Sequence, residues 1–354
     1  MATDSHEKKL YYLVSGDLRA IVGRWLSTHS QLFLPDKQVF DKLQSALLSE
    51  LGTIFNPQGV EVVYLSTEYL KAGLLMLIAD HAPDIPVISL DQVYVERGLA
   101  DIHFDANRIV KWSKHDAEQE WRLGWTEIGH GPRIADLSIQ SQLDRIVNQG
   151  RIRRMQKKRV ALVDDGTWTR GSLKAVQRLL LTKGIHVERF VVAINIEPEE
   201  GEGCYSLDAP FHWVDKYRKA QVVDWIGERD WYPGIGFSGR TVGEQYDHAQ
   251  AHSEHYFAVP MEGNYGAPYV LPLGDPVEWA SIPADKVVGF SIFCLEQTVK
   301  LYQEIEAESK RITGSSVRIR VQDLERPPFF LRKQKDHSII DELSRLIDQL
   351  KKNS

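Results

Sequence analysis

Apolar positions near the start of the chain recur at spacings of three, four and seven. Leu10, Leu13, Val14, Ile21, Val22, Trp25 and Leu26 form one series, and Val39, Phe40, Leu43, Ala46, Leu47 and Leu51 form a second. Both predict amphipathic helices, with Gly52 placed to end the second. The period then changes. Residues 60–65, VEVVYL, are rich in β-branched side chains and predict a buried strand; 69–79 predict a helix and 85–90 another strand. Strand, crossover helix and strand form a βαβ unit, which implies a parallel sheet.

The stretch 91–158 is mixed, with a helix expected near 134–147 and closed by Gly150. The run RIRRMQKKR at 151–159 follows, with six basic residues of nine. A regular pattern returns with a strand at 159–163, a helix at 172–183 closed by Gly184, and a strand at 187–194. EPEEGEG, starting at Glu197, is a charged join, and 205–283 is rich in aromatic residues, Gly and Pro without clean periodicity. A long helix is expected over 285–310, RPPFF at 326–330 reads as a rigid spacer, and the chain closes in an amphipathic helix. Its stripe is Ile339, Ile340, Leu343, Leu346, Ile347 and Leu350, with Ser338 and Asp341 as a capping box.

The fold class is therefore α/β, a mainly parallel sheet with flanking helices. N-terminal helices precede it and an aromatic-rich, helical C-terminal region follows. The expected divisions are 1–54, 55–200, 201–325 and 326–354.

Composition narrows the function. With 43 Lys+Arg against 49 Asp+Glu, the 354-residue chain carries a net charge of −6. That balance argues against nucleic acid or an anionic membrane as the partner, leaving the basic run as a local exception. Two cysteines, Cys204 and Cys294, make neither a disulfide framework nor a four-thiolate zinc site, and they point to a reducing, cytoplasmic setting. No uninterrupted apolar run is long enough to span a bilayer, and the first residues lack the apolar core of a secretory signal.

The chemistry concentrates in VALVDDGTWTRGSL, residues 160–173. A hydrophobic strand delivers Asp164 and Asp165 at its carboxyl end, and a turn of small and hydroxylated residues opens into a helix. In open α/β sheets ligands sit outside the carboxyl ends of strands. The helix start offers unpaired N–H groups and a positive dipole end to a phosphate. Carboxylates suited to hydroxyls or a metal, next to a turn suited to an anion, match a sugar phosphate. A plain strand, turn and helix cap is the bland alternative, since caps and turns recruit the same residue types. The nucleophile loop of haloacid-dehalogenase-like phosphatases also contains Asp-Gly-Thr, but it needs an Asp at the position of Val163.

Segment 160–173 resembles the phosphoribosyl-diphosphate-binding motif of type I phosphoribosyltransferases, with a broader likeness over about 60–195. The resemblance implies that Asp164 and Asp165 are the catalytic residues and hold the ribose 2′- and 3′-hydroxyls. It also implies that Gly166, Thr167, Thr169, Arg170, Gly171 and Ser172 wrap the 5′-phosphate. It places the pyrophosphate at Ser66, Thr67 and Lys71, and implies Mg2+ as cofactor, a sugar phosphate as substrate and a homodimer. The implied activity is a pentosyl (glycosyl) transfer to a nitrogen acceptor, as in nucleotide metabolism.

Two residues depart from the pattern. Arg170 stands where the family has Gly after the Thr of the phosphate turn, and Glu68 puts a carboxylate in the pyrophosphate turn. Both fit the alternative of a ligand sensor or interaction module that kept the fold and lost turnover. Outside the motif, His248, His252 and His255 could share a helix face, as zinc ligands or as a packed cluster. The loop from Asp230 to Arg240 could stack a flat base or simply anchor Trp231 and Tyr232 in the core.

Overall fold

The computed structural model describes residues 9–95, 98–112, 124–132, 138–199, 205–243 and 265–353. The chain opens with strand β1 (Leu10–Ser15), helix α1 (Leu18–Leu26), helix α2 (Lys37–Phe55) and strand β2 (Val60–Leu65). The first of these corrects the helix expected from residue 10. Tyr12, Leu13 and Val14 are buried on both faces of a central strand, so their continuous apolar run mimics helical spacing. Gly52 also does not end α2. The helix runs on to Phe55, and Gly59, in the left-handed region at φ 75°, turns the chain into β2.

Helix α3 (Thr67–His81) and strand β3 (Val87–Ser89) fall where expected, but β2 and β3 belong to different sheets. Three further strands follow: β4 (Ile102–His103), parallel to β3, then β5 (Asn107–Trp112) and its antiparallel neighbour β6 (Trp125–Gly131). Then come α4 (Ile139–Asn148), α5 (Gly150–Arg154), β7 (Lys158–Thr167), α6 (Gly171–Thr182) and β8 (Ile185–Glu197). Gly150 opens α5 instead of closing α4. Beyond it are β9 (Phe211–Arg218), β10 (Val222–Gly227), β11 (Arg240–Val242), β12 (Gly266–Ala267), α7 (Pro276–Ala280), α8 (Val287–Thr313) and α9 (Ile339–Asn353).

Two of the three sheets are wholly parallel. The larger has the order β4-β3-β7-β8-β9, and the smaller β10-β1-β2. These pairings join segments on both sides of the expected 54/55 and 200/201 divisions. The third sheet, β12-β11-β5-β6, is mixed. One face of the five-stranded sheet buries Ile88, Val160, Leu162 and Val192 against Ile146, Ile152, Leu173, Val176 and Leu180 of α4, α5 and α6. Its other face puts Ala161, Val163, Val191 and Ala193 into the main core, which Leu70 and Leu74 of α3 also join. There α3 lies on β8 and β9, so close that a Cβ on Gly73 would strike Val214.

The C-terminal helix forms as expected, with Ser338 Oγ accepting the Asp341 N–H at 3.4 Å. The Asp341 carboxylate pairs with Arg318, so only half of the expected capping box is made. RPPFF is not a spacer. Arg326 is 2 % exposed, and Phe329 and Phe330 pack with Trp125.

Numbered along the chain, the five-stranded order is 2-1-3-4-5, so the strand order reverses between β3 and β7. Ligands of such sheets bind outside the carboxyl ends of the strands at that point.

Candidate functional site

A cavity of about 300 Å³ opens there. Leu90, Asp91 and Val93 reach it from the turn after β3, and Asp164 to Thr169 with Gly171 and Ser172 from the end of β7 and the start of α6. The smaller sheet contributes Ser15 at the end of β1 and Asp224 to Gly227, Arg229 and Asp230 at the end of β10. Four parallel strands from two sheets thus deliver their carboxyl ends to one space. Segments around Asp105, Asn107, Arg240, Tyr269 and Trp279 complete the wall.

The motif residues come together. Asp164 and Asp165 lie inside β7, which extends to Thr167 and not only to residue 163. The Asp165 N–H donates to Asp164 Oδ1 at 3.0 Å, holding the two carboxylates adjacent. Enclosure, then the neighbouring charges of Asp165 and Asp91, hold the Asp164 carboxyl well above its ordinary range. Gly166 is required by a close approach: a Cβ there would collide with the Trp225 ring and sit 2.8 Å from the Ile194 carbonyl. Trp225 Nε1 in turn donates to Ser15 Oγ at 3.2 Å, tying β10 to β1 within the smaller sheet where the Trp225 ring meets Gly166 of the larger one.

Arg170 does not line the cavity. Its backbone is left-handed at φ 64°, a conformation that favours glycine, and its guanidinium lies 4.7 Å from the Phe211 ring centre. The Arg170 N–H donates to Thr167 Oγ1 at 2.9 Å, which closes the turn from within. Ser66, Thr67 and Lys71 are not brought to the acidic pair either. Ser66 Oγ caps α3 by accepting the Tyr69 N–H at 3.2 Å, and Thr67 Oγ1 donates to the Gly16 carbonyl at 2.6 Å. The physical reason is topological, since β2 sits at the edge of the smaller sheet and β3 is the strand that neighbours β7. In that turn, Asp91 accepts the N–H groups of Val93, Tyr94 and Val95 at 2.6–3.1 Å.

Sequence reasoning missed the charged network that backs the cavity. Arg229, buried, forms an ion pair with Asp17, and its Nη2 lies 3.8 Å from Asp165 Oδ2. Its Nε donates to the Phe237 carbonyl at 3.1 Å, and Asp230 accepts the Gly239 N–H at 2.7 Å. Trp231 and Tyr232 are core anchors, as one reading of this loop expected, and Phe237, Gly239 and Arg240 line the cavity. Arg326 fastens the loop from beneath, donating to the carbonyls of Ser238 and Gly239 at 3.0 and 3.3 Å and to Thr241 Oγ1 at 2.6 Å.

Burial pushes the Glu228 carboxyl up to about 8, helped by the charge of Asp17, and burial pushes Asp17 up to about 7 despite Arg229. Unfolded, both ionise near pH 4. Between about pH 4 and pH 8 the folded chain therefore holds more protons than the unfolded one, so stability falls as pH rises through that window. Urea unfolding at pH 5, 6.5 and 8 should show this decline, and Glu228→Gln should remove up to about 1.4 kcal/mol per pH unit of it. Parallel profiles for parent and variant would contradict the assignment.

Among the described residues, no group of three or more His, Cys, Asp or Glu is arranged to hold a metal ion unaided. His248, His252, His255 and Cys204 lie outside the described residues, and Cys294 is buried and free. No described helix is long and apolar enough to cross a membrane.

No protein-family model matches this chain, and no curated protein matches it. Among solved structures, a hypothetical protein from Neisseria gonorrhoeae with bound ppGpp is similar at 14 % identity and a TM-score of 0.29, over 45 % of this chain and 81 % of that one.

Proposed function

We propose that this chain is a phosphoribosyltransferase-like enzyme that binds phosphoribosyl diphosphate with Mg2+ and transfers the phosphoribosyl group to a nitrogen acceptor. The observation that carries the reading is the convergence of the Asp164–Asp165 pair and the turn into α6 on one cavity at the β3/β7 reversal. In this reading Asp164 and Asp165 accept hydrogen bonds from the ribose 2′- and 3′-hydroxyls. Thr169, Ser172 and the first N–H groups of α6 take the 5′-phosphate. Tyr269 and Trp279 in the cavity wall would supply aromatic contact for a flat acceptor. Catalysis is then chiefly positioning and charge stabilisation as the diphosphate leaves C1.

The donor set suits a hard cation, because carboxylate oxygens crowd the site and Asp164 lacks charge compensation. Asp164 and Asp165 are the residues that would hold Mg2+, together with ligand oxygens and water. Bound there, the ion would neutralise the diphosphate.

Two observations favour a second reading, a binding module without turnover. The amides after β3 are already held by Asp91, and the Arg170 guanidinium rests on Phe211 instead of facing the cavity. Calorimetric titration with phosphoribosyl diphosphate and Mg2+, followed by pyrophosphate release across a panel of nitrogen bases, separates the two. The preferred reading expects both binding and release. Binding without release would select the module, and no binding at millimolar ligand would remove both.

A further inference from the structure

The basic run at 151–159 lies at the amino end of β7, about 20 Å along the strand from Asp164 at a rise of roughly 3.3 Å per residue. It cannot steer a ligand into the cavity as an adjacent patch would. Its placement follows from one anchor. Ile152 is buried under the five-stranded sheet, which turns the arginines on either side of it outward.

The cations here divide into two groups. Arg151 is paired with Asp101 at 2.9 Å and Arg159 with Glu188 at 3.0 Å. Arg145 at the end of α4, Arg153, Arg154 and Lys157 are exposed, Lys158 is half-buried, and none has an acidic partner among the described residues. Arg154 Nε donates to the Gly150 carbonyl at 2.9 Å, which ties its guanidinium to the start of α5. The opposite end of the same sheet carries Asp91, Asp164 and Asp165.

We infer that this amino end is a nucleic-acid-binding surface on which Arg145, Arg153, Arg154, Lys157 and Lys158 contact phosphates. The net charge of −6 averages over the chain and conceals it. The unpaired cations are spread over two helix ends and a strand start, and such a row matches repeated charges better than one phosphate. A protein partner would require an apolar, aromatic core within the patch, whereas every exposed side chain from 153 to 157 is Arg, Gln or Lys. Phosphate contacts alone suffice for nucleic acid, and arginine forks suit them.

The test is fluorescence anisotropy of the full chain with labelled single-stranded RNA, single-stranded DNA and duplex DNA of roughly 20 nucleotides, at several salt concentrations. Poly-glutamate serves as the acidic-peptide arm. The expected result is binding to at least one nucleic acid with an affinity that falls linearly with salt on logarithmic axes. Arg153→Glu with Arg154→Glu and Lys157→Glu should weaken it at least about tenfold and lower the single-strand slope by about 2, at roughly 0.7 per lost phosphate contact. The corresponding Gln triple variant should move affinity and slope in the same direction, and circular dichroism should show both variants folded. No binding at about 50 mM salt, variants that bind like the parent, or equal binding of poly-glutamate would overturn the inference.

Discussion

Asp164→Asn combined with Asp165→Asn is expected to abolish sugar-phosphate binding while leaving the protein at least as stable as the parent. The amide is nearly isosteric, and its oxygen at 164 can still accept the Asp165 N–H that now spans 3.0 Å. What disappears is charge crowding, since enclosure together with Asp165 and Asp91 holds the Asp164 carboxyl above its ordinary range. Relieving that repulsion favours the folded state at neutral pH. Binding changes the other way. Two charge-assisted acceptors for hydroxyl groups are lost, each contributing about 1.5–3 kcal/mol, so affinity should fall by roughly two to four orders of magnitude. Calorimetric titration and thermal unfolding of the same preparation check both halves. A lowered melting temperature with no change in binding would make the pair a structural turn.

Arg326→Ala should lower stability by about 3–5 kcal/mol. The guanidinium is almost fully enclosed and holds two carbonyls and a hydroxyl of residues 238–241. Truncation leaves those acceptors buried without a donor, and the segment they belong to carries Gly239 and Arg240 of the cavity wall. Ligand affinity should therefore fall together with the unfolding free energy, although Arg326 itself does not line the cavity. Arg326→Lys should recover only part of the loss, because one ammonium cannot span both carbonyls and the hydroxyl with the fork geometry of arginine. Urea unfolding monitored by tryptophan fluorescence gives the number, and a loss below about 1 kcal/mol would contradict this role.

What could be seen in the sequence depended on whether a feature is local. The strand and turn at 160–173 and helices α2, α3, α6, α8 and α9 each announce themselves through period and capping. The acidic pair and the turn into α6 reach the cavity because strand and turn are contiguous in the chain. Long-range pairing is what failed to show. Leu10 to Val14 fits a helix until β10, more than two hundred residues later, and β2 pair with its two edges. Once that strand is misread, Gly16 and Asp17 cannot be recognised as a strand end, and Arg229 has no visible partner. Similarly, 60–90 reads as one βαβ unit although its strands enter separate sheets, so the turn after β2 draws attention that belongs to the turn after β3. Arg326 in RPPFF looks like a spacer residue because the carbonyls it satisfies lie more than eighty positions upstream.

The most direct test is a crystal structure of this chain soaked with phosphoribosyl diphosphate and Mg2+. The pentose should sit between β3 and β7, its hydroxyls on Asp164 and Asp165 and its 5′-phosphate on the turn from Thr169 to Ser172. A cavity that stays empty at millimolar ligand, or a sugar bound elsewhere with those two carboxylates untouched, would contradict the account.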